Sequence, residues 1–383
     1  MRQFFQDVGN RYNNLDCSPG IGELSAAYTN SSFTHGSSID NIPNLYAKYC
    51  YDNGMSNSPI LVVMHGYDQE AADFTEGTME RFASYGFFVL AVGMRSKDGA
   101  SGTKDSSGRE LHDIKEAIDY LRENFPSQAH PQKCAIVGYS GGGGNVLAMC
   151  VKFPDLFTCR IVHFGMSDYG YDATNGWYYT NTSFQANISA SIGGVPGSFP
   201  NEYKSRSTLI NNAIAVNAIS KIYLFHDSGD ASVSVIHSRL VEDAFELEDK
   251  ENLVKYNESN SGSATRWLHA LPNGAAAVVN SEAIWKVPAL NSCPVRIPNI
   301  GRFIVQGYLI TKQFELWLGN NTDSTKDGQN RTGILDYDLR NENWSFVFTP
   351  TNDGTVTTKI LLKRGNQFIK KVVTDNSQVR FAI

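Results

Sequence analysis

Basic side chains are in deficit: Lys and Arg together number 33 against 39 Asp and Glu, for a net charge of −6 at pH 7. No Lys/Arg cluster interrupts that balance, so nucleic acid is excluded as the expected partner, since nothing is there to displace its counterions. Long apolar runs are missing too. No stretch approaches the roughly 20 residues needed to span a bilayer, and Met1–Asp7 lacks the apolar core of a signal peptide. The chain therefore reads as soluble with no membrane span, and a secreted form trimmed of its leader would read the same. The six cysteines, Cys17, Cys50, Cys134, Cys150, Cys159 and Cys293, show no C-x-x-C spacing, which excludes a recognisable zinc or thioredoxin-type motif. Cys134 and Cys150 sit in apolar segments as core residues, and Cys17 could pair with Cys50 in an oxidising compartment. Neither G-x-x-x-x-G-K nor H-E-x-x-H occurs, so no cofactor and no metal is expected.

What is present is ordinary globular composition, 41% apolar and 19% charged over 383 residues. That length suits one large domain with a small one, or two of medium size. Residues 1–57 are rich in Asn, Ser, Tyr and Gly and read as an irregular lead-in with edge strands, one of them at Leu45–Tyr51. Pro59–Met64, Gly86–Val92, Lys133–Val137, Arg160–Phe164, Lys221–Phe225 and Leu253–Asn257 are continuous apolar segments, as expected of strands covered on both faces. Helical patterns separate them at Ala71–Ser84, Glu110–Phe125, after Gly142, and Val235–Leu247. Alternation of this kind predicts an α/β fold with a doubly wound, mostly parallel sheet over residues 58–290.

Residues 166–215 break the alternation with Tyr169, Tyr171, Trp177, Tyr178, Tyr179 and Phe184 among small polar residues. Such an insertion past a strand's carboxyl end would overhang the ligand crevice as a cap. Pro288, Pro294 and Pro298 punctuate a linker-like stretch. From 295 to 383, short alternating segments separated by turns such as Asn320-Asn321, Asp327-Gly328 and Asp353-Gly354 predict a small antiparallel, sandwich-like all-β domain.

The chemistry centres on Gly138-Tyr139-Ser140-Gly141-Gly142. Strand, G-x-S-x-G and helix in that order form a nucleophile elbow, in which a strained turn presents the serine at the sheet edge. A serine hydroxyl needs a general base, and the base needs an acid to hold its tautomer. After the 221–225 strand comes His226-Asp227-Ser228-Gly229-Asp230, where Asp230 is preferred to Asp227 as the acid; Asp168, past the 160–164 strand, is set aside. Past the 253–257 strand stands His269 as the base. Two N–H donors must meet the developing oxyanion. Gly141 supplies one by position, and Tyr67, in the strand-end turn His65-Gly66-Tyr67, supplies the other with its ring lining the pocket. Tyr139, Trp177 and Tyr178 complete the expected substrate-binding set.

On these motifs, residues 58–275 resemble the α/β-hydrolase superfamily, particularly its dienelactone-hydrolase-like, prolyl-oligopeptidase-like and cutinase-like branch. The resemblance implies Ser140 as nucleophile, Asp230 as acid, His269 as base, and Tyr67 with Gly141 as oxyanion donors. It departs from dienelactone hydrolases, whose nucleophile is cysteine, and fewer than sixty residues stand where prolyl-oligopeptidase-like peptidases carry a propeller. The expected activity is cofactor-independent serine ester hydrolysis on a bulky substrate such as an acylated polysaccharide or polyester. The alternatives are a peptidase or amidase, and a surface-attachment or carbohydrate-binding protein, for which the abundant Asn, Ser, Thr and Gly suit an extracellular or virion-borne setting.

Overall fold

A computed structural model describes residues 15–263, 266–269, 274–319 and 330–383; Met1–Asp7 and the turns expected at 320–321 and 327–328 lie outside them. Two eight-stranded sheets organise these residues. The first contains β1 (Tyr28–His35), β2 (Leu45–Asp52), β3 (Ser58–Met64), β4 (Phe88–Val92), β5 (Ala129–Tyr139), β6 (Cys159–His163), β7 (Lys221–Asp227) and β8 (Val254–Ser259). Their spatial order is β8-β7-β6-β5-β3-β4-β2-β1. β3 to β8 pair in parallel, whereas β1 and β2 are antiparallel additions at one edge.

The central strands are apolar throughout because both faces are covered. In β3, Ile60, Val62 and Met64 enter one core cluster while Leu61 and Val63 enter the other; in β5, Ile136 and Val137 divide the same way. Helices α1 (Glu76–Ala83), α2 (Glu110–Asn124), α3 (Gly141–Lys152), α4 (Ile236–Leu247) and α5 (Gly274–Asn291) accompany the sheet. α5 runs through the stretch expected as a linker. Trp285 and Ala289 are buried against the sheet, and Pro288 lies inside the helix, where it lacks the N–H that would bond the carbonyl four residues back.

The strand order reverses between β3 and β5. Chain direction and sheet order therefore open a crevice at the carboxyl ends of these two strands, where ligands bind in doubly wound sheets. Both elbow and oxyanion turn leave the sheet there.

The second sheet is wholly antiparallel: β9 (Ile300–Gln306), β10 (Tyr308–Ile310), β11 (Glu315–Gly319), β12 (Thr332–Asp338), β13 (Ser345–Pro350), β14 (Thr358–Arg364), β15 (Gln367–Val373) and β16 (Val379–Ala382). It runs in the order β15-β14-β11-β10-β9-β12-β13-β16. One face closes on its own core around Phe303, Leu316, Phe346 and Leu362. The other sends Ile304, Tyr308 and Ile310 into the core of the first sheet.

Cys17 is disulfide-bonded to Cys293, with Cα atoms 4.9 Å apart. The Cys17–Cys50 pairing is thereby corrected: Cys50 is a fully buried residue of β2, packed in the core. No described helix is long and apolar enough to cross a membrane.

Candidate active site

Ser140 stands between β5 and α3 with φ 55° and ψ −117°, a conformation costing on the order of 1–3 kcal/mol for a non-glycine residue. The flanking glycines explain how the turn is held. A Cβ on Gly138 would lie 2.2 Å from the Gly142 carbonyl oxygen, and one on Gly142 would lie 2.4 Å from that of Met64. Only hydrogen fits at either position, so the elbow can press against β3. The Ser140 N–H donates to the His163 carbonyl at 3.0 Å, tying the turn to β6.

The same closeness brings a second backbone to the elbow. A Cβ built on Gly141 falls 2.7 Å from the Tyr67 nitrogen, so the backbones of Gly141 and Tyr67 lie side by side. The Tyr67 side chain is held from several sides. Its hydroxyl meets Ser106 Oγ at 3.0 Å and Ser191 Oγ at 3.1 Å; Trp177 meets the ring edge-on at 5.1 Å between centroids; and Lys104 Nζ lies 3.1 Å over its face. Lys104 also donates to the Tyr67 carbonyl.

Beside these two backbones is a small cavity lined by His65, Tyr67, Lys104, Glu110, Gly141 and Asn145. Burial, reinforced by Asp105, pushes the Glu110 carboxyl up to about 7, and burial brings the Lys104 amine down to about 8. Burial likewise pushes the Tyr67 phenol up to about 12.

The Asp230 and His269 side chains come from the loops after β7 and β8. His269 Nδ1 meets Asp230 Oδ2 at 2.5 Å. The other carboxylate oxygen accepts the N–H groups of Ser232 and Val233 at 2.9 and 3.1 Å. Burial alone would raise Asp230, but hydrogen bonds from His226 and His269 outweigh it and hold the carboxyl well below the usual range. Phe164, at φ 40°, packs its ring on His269 with centroids 4.1 Å apart. Since Ser140 is bonded to His163, the residue before Phe164, the elbow and the histidine share one corner of the crevice. With Nδ1 committed to Asp230, His269 Nε2 is buried and has no hydrogen-bond partner among the described residues.

Asp227 and Asp168 take other duties. Asp227 faces Arg266 in a bidentate pair at 2.5 and 2.8 Å, which, against the burial that would raise it, brings its carboxyl down to about 2. Asp168 accepts the N–H groups of Gly170 and Tyr171 within its own turn.

Of the expected substrate residues, Trp177 joins Tyr67 in a buried aromatic cluster, and Tyr178 packs at the edge of that cluster. Tyr139 does not join them. Strand alternation places it on the same side as Ala135 and Val137, where its ring stacks on His163 at 4.9 Å, away from the cavity. Sequence reasoning missed Phe164, Lys104, Ser191 and Arg266. The first follows the strand carrying its own turn and was readable by position; the others carry no local pattern. Among the described residues no group of three His, Cys, Asp or Glu side chains is arranged to hold a metal ion.

This fold and crevice are those of the α/β-hydrolases. Residues 73–260 match the prolyl oligopeptidase family; the match takes in Ser140 and Asp230 and ends before His269. The uncharacterized peptidase YtmA of Bacillus subtilis (strain 168) is 27% identical over 168 residues, 44% of this chain and 61% of that protein. The chain thus spans less than two thirds of this curated relative. A puromycin-hydrolyzing peptidase of Mycobacterium tuberculosis is similar in structure, with 19% identity and a TM-score of 0.55 over 71% of this chain and 41% of that one. The acylaminoacyl peptidase of Pyrococcus horikoshii gives 16% identity and a TM-score of 0.53 over 68% and 41%. At these identities the two structures speak to the fold.

Proposed function

We propose that the chain hydrolyses carboxylic esters through an acyl-enzyme. The observation that carries this reading is the Asp230–His269 pair, whose remaining nitrogen Nε2 is buried with no hydrogen-bond partner among the described residues. His269 Nε2 takes the Ser140 proton as Oγ bonds to the ester carbonyl carbon. The carbonyl oxygen, now negative, rests on the N–H groups of Tyr67 and Gly141. Collapse breaks the bond to the leaving alcohol, which receives the proton from His269; water then repeats the sequence and frees the acid. One oxyanion donor is worth about 10²–10³ in kcat.

The aromatic cluster that Tyr67 forms with Tyr169 and Trp177 of the 166–215 insertion supports a bulky acyl or polymeric substrate, such as an acylated polysaccharide or polyester. A second reading, amide hydrolysis, is favoured by the peptidases among the similar proteins. The deciding experiment pairs a p-nitrophenyl ester with the p-nitroanilide of the same acyl group, on the intact protein and on Ser140→Ala. Ester turnover that Ser140→Ala abolishes, without anilide turnover, supports the esterase. Comparable anilide turnover transfers the assignment to a peptidase, and turnover that survives in Ser140→Ala removes the serine mechanism.

A further inference from the structure

We infer that Asp227 and Arg266 form a clamp that sets the base-bearing loop against the acid-bearing loop, making Arg266 a positioning residue for His269. The inference rests on the proposed roles of Ser140, Asp230 and His269. Asp227 ends β7, three residues before Asp230, with its carboxylate buried. One oxygen accepts the Gly229 N–H at 2.8 Å, which fixes the turn leading to Asp230. The other accepts Ser259 Oγ at 2.7 Å from the end of β8. Both oxygens take the Arg266 guanidinium, and the Trp267 N–H returns to Ser259 Oγ at 3.0 Å. Gly229 leaves room for the fork: a Cβ there would lie 3.0 Å from Arg266 Nη2.

One carboxylate therefore ties together the loop that delivers the acid, the end of the strand that delivers the base, and the segment three residues before the base itself. Arginine suits this because its planar fork fixes direction as well as distance; a lysine's single ammonium would not. Without the clamp, His269 would keep only its bond to Asp230 and the Phe164 ring. A shift of about 1 Å in a catalytic group can cost about 100-fold in rate.

The test is steady-state kinetics on a p-nitrophenyl ester with Arg266→Met and Arg266→Lys, plus Arg266→Met in an Asp230→Asn background. A fall in kcat of about 10- to 100-fold is expected for Arg266→Met, with KM nearly unchanged. Arg266→Lys should recover little of it, and added guanidinium ion should recover part of the loss in Arg266→Met. In the Asp230→Asn background the same substitution should cost far less, because both act through one histidine. Wild-type kcat in Arg266→Met overturns the clamp, and so does a loss that is fully additive with Asp230→Asn and unmoved by guanidinium. If Arg266→Met does not fold, wild-type kcat in Arg266→Lys serves equally to overturn it. Turnover independent of Ser140 would instead remove the serine-hydrolase reading, which the Ser140→Ala control separates from failure of the clamp.

Discussion

Replacing Asp230 by Asn tests the site through a single proton. Two backbone N–H groups, of Ser232 and Val233, point at Oδ1, so an asparagine must place its carbonyl oxygen there. Its amide nitrogen then occupies the Oδ2 position, 2.5 Å from His269 Nδ1 in the native arrangement. An N–H facing an N–H is repulsive, so His269 must present a lone pair at Nδ1 and carry its proton on Nε2. The nitrogen that should accept from Ser140 becomes a donor. In a serine protease the same substitution lowers kcat about 10⁴-fold, which is about 5 kcal/mol of transition-state stabilisation. We expect a loss of that order in kcat on an activated ester, with KM little changed and the folded state retained, since size and both backbone hydrogen bonds are kept. Retention of activity within about tenfold in a folded Asp230→Asn would refute the proposition that Asp230 sets the His269 tautomer.

Three further outcomes are expected. Gly142→Ala places a Cβ 2.4 and 2.6 Å from the carbonyl oxygens of Met64 and His65, backbone atoms that cannot step aside. It should cost about 1–3 kcal/mol or more in urea unfolding, and an unchanged midpoint would contradict the tight seating of the elbow. Lys152, with its amine on the carbonyls of Ser205 and Gln306, is brought down to about 7 from the ordinary 10.5, chiefly by burial. The unfolded chain binds the proton more readily between those values, so this group's contribution to stability falls as pH drops through that window and stays low beneath it. Lys152→Met should therefore gain stability relative to the native protein below pH 7 and lose that advantage toward pH ~10; a pH-independent difference in chemical denaturation would refute the sign. Finally, Cys293→Ser removes a cross-link spanning 276 residues of sequence, for an expected loss of about 2–4 kcal/mol under oxidising conditions and none under reducing ones, read by thermal unfolding with and without dithiothreitol.

Much of the central sheet was legible because parallel strands covered on both faces are apolar without interruption, as in Ile60–Met64 and Ile222–Phe225. The serine turn was legible because its glycines are demanded by sterics rather than by substrate. Elsewhere the physics left no local trace. β1 is an edge strand with the polar sequence Tyr28–His35, and its stability comes from pairing with β2 and from Phe33 stacked on Tyr120 at 4.0 Å. α5 was hidden by Pro288, which reads as a helix breaker because it lacks the N–H donor yet lies inside this helix. Cys17 and Cys293 are neighbours only in space. Tyr139, expected to bind substrate, ends β5, and strand alternation sends its ring to the face of Ala135 and Val137, onto His163. Asp227 and Asp230 could not be separated with certainty by spacing alone, since the choice depends on Arg266, a residue 39 positions away in sequence.

The second sheet bears on the site through packing rather than through contact with Ser140. Its residues Ile304, Tyr308 and Ile310 belong to the same buried cluster as Val146, Leu147 and Met149 of α3, the helix that starts at the nucleophile. Polar ties lie in the same seam: Asn217 donates to the carbonyls of Val151 and Ile304, and the Tyr308 hydroxyl donates to the Gly108 carbonyl at 3.0 Å. Gly108 precedes α2, and the loop before it carries Lys104 and Ser106, which hold Tyr67. At the far side, Asp353 pairs with Lys204 at 2.6 Å and accepts from Tyr171, both in the insertion over the crevice. The elements that present Ser140, Tyr67 and the aromatic cluster thus each rest against the second sheet. Since an apolar face of this kind is stable only when covered, the geometry of the crevice and the docking of residues beyond 295 are parts of one cooperative structure.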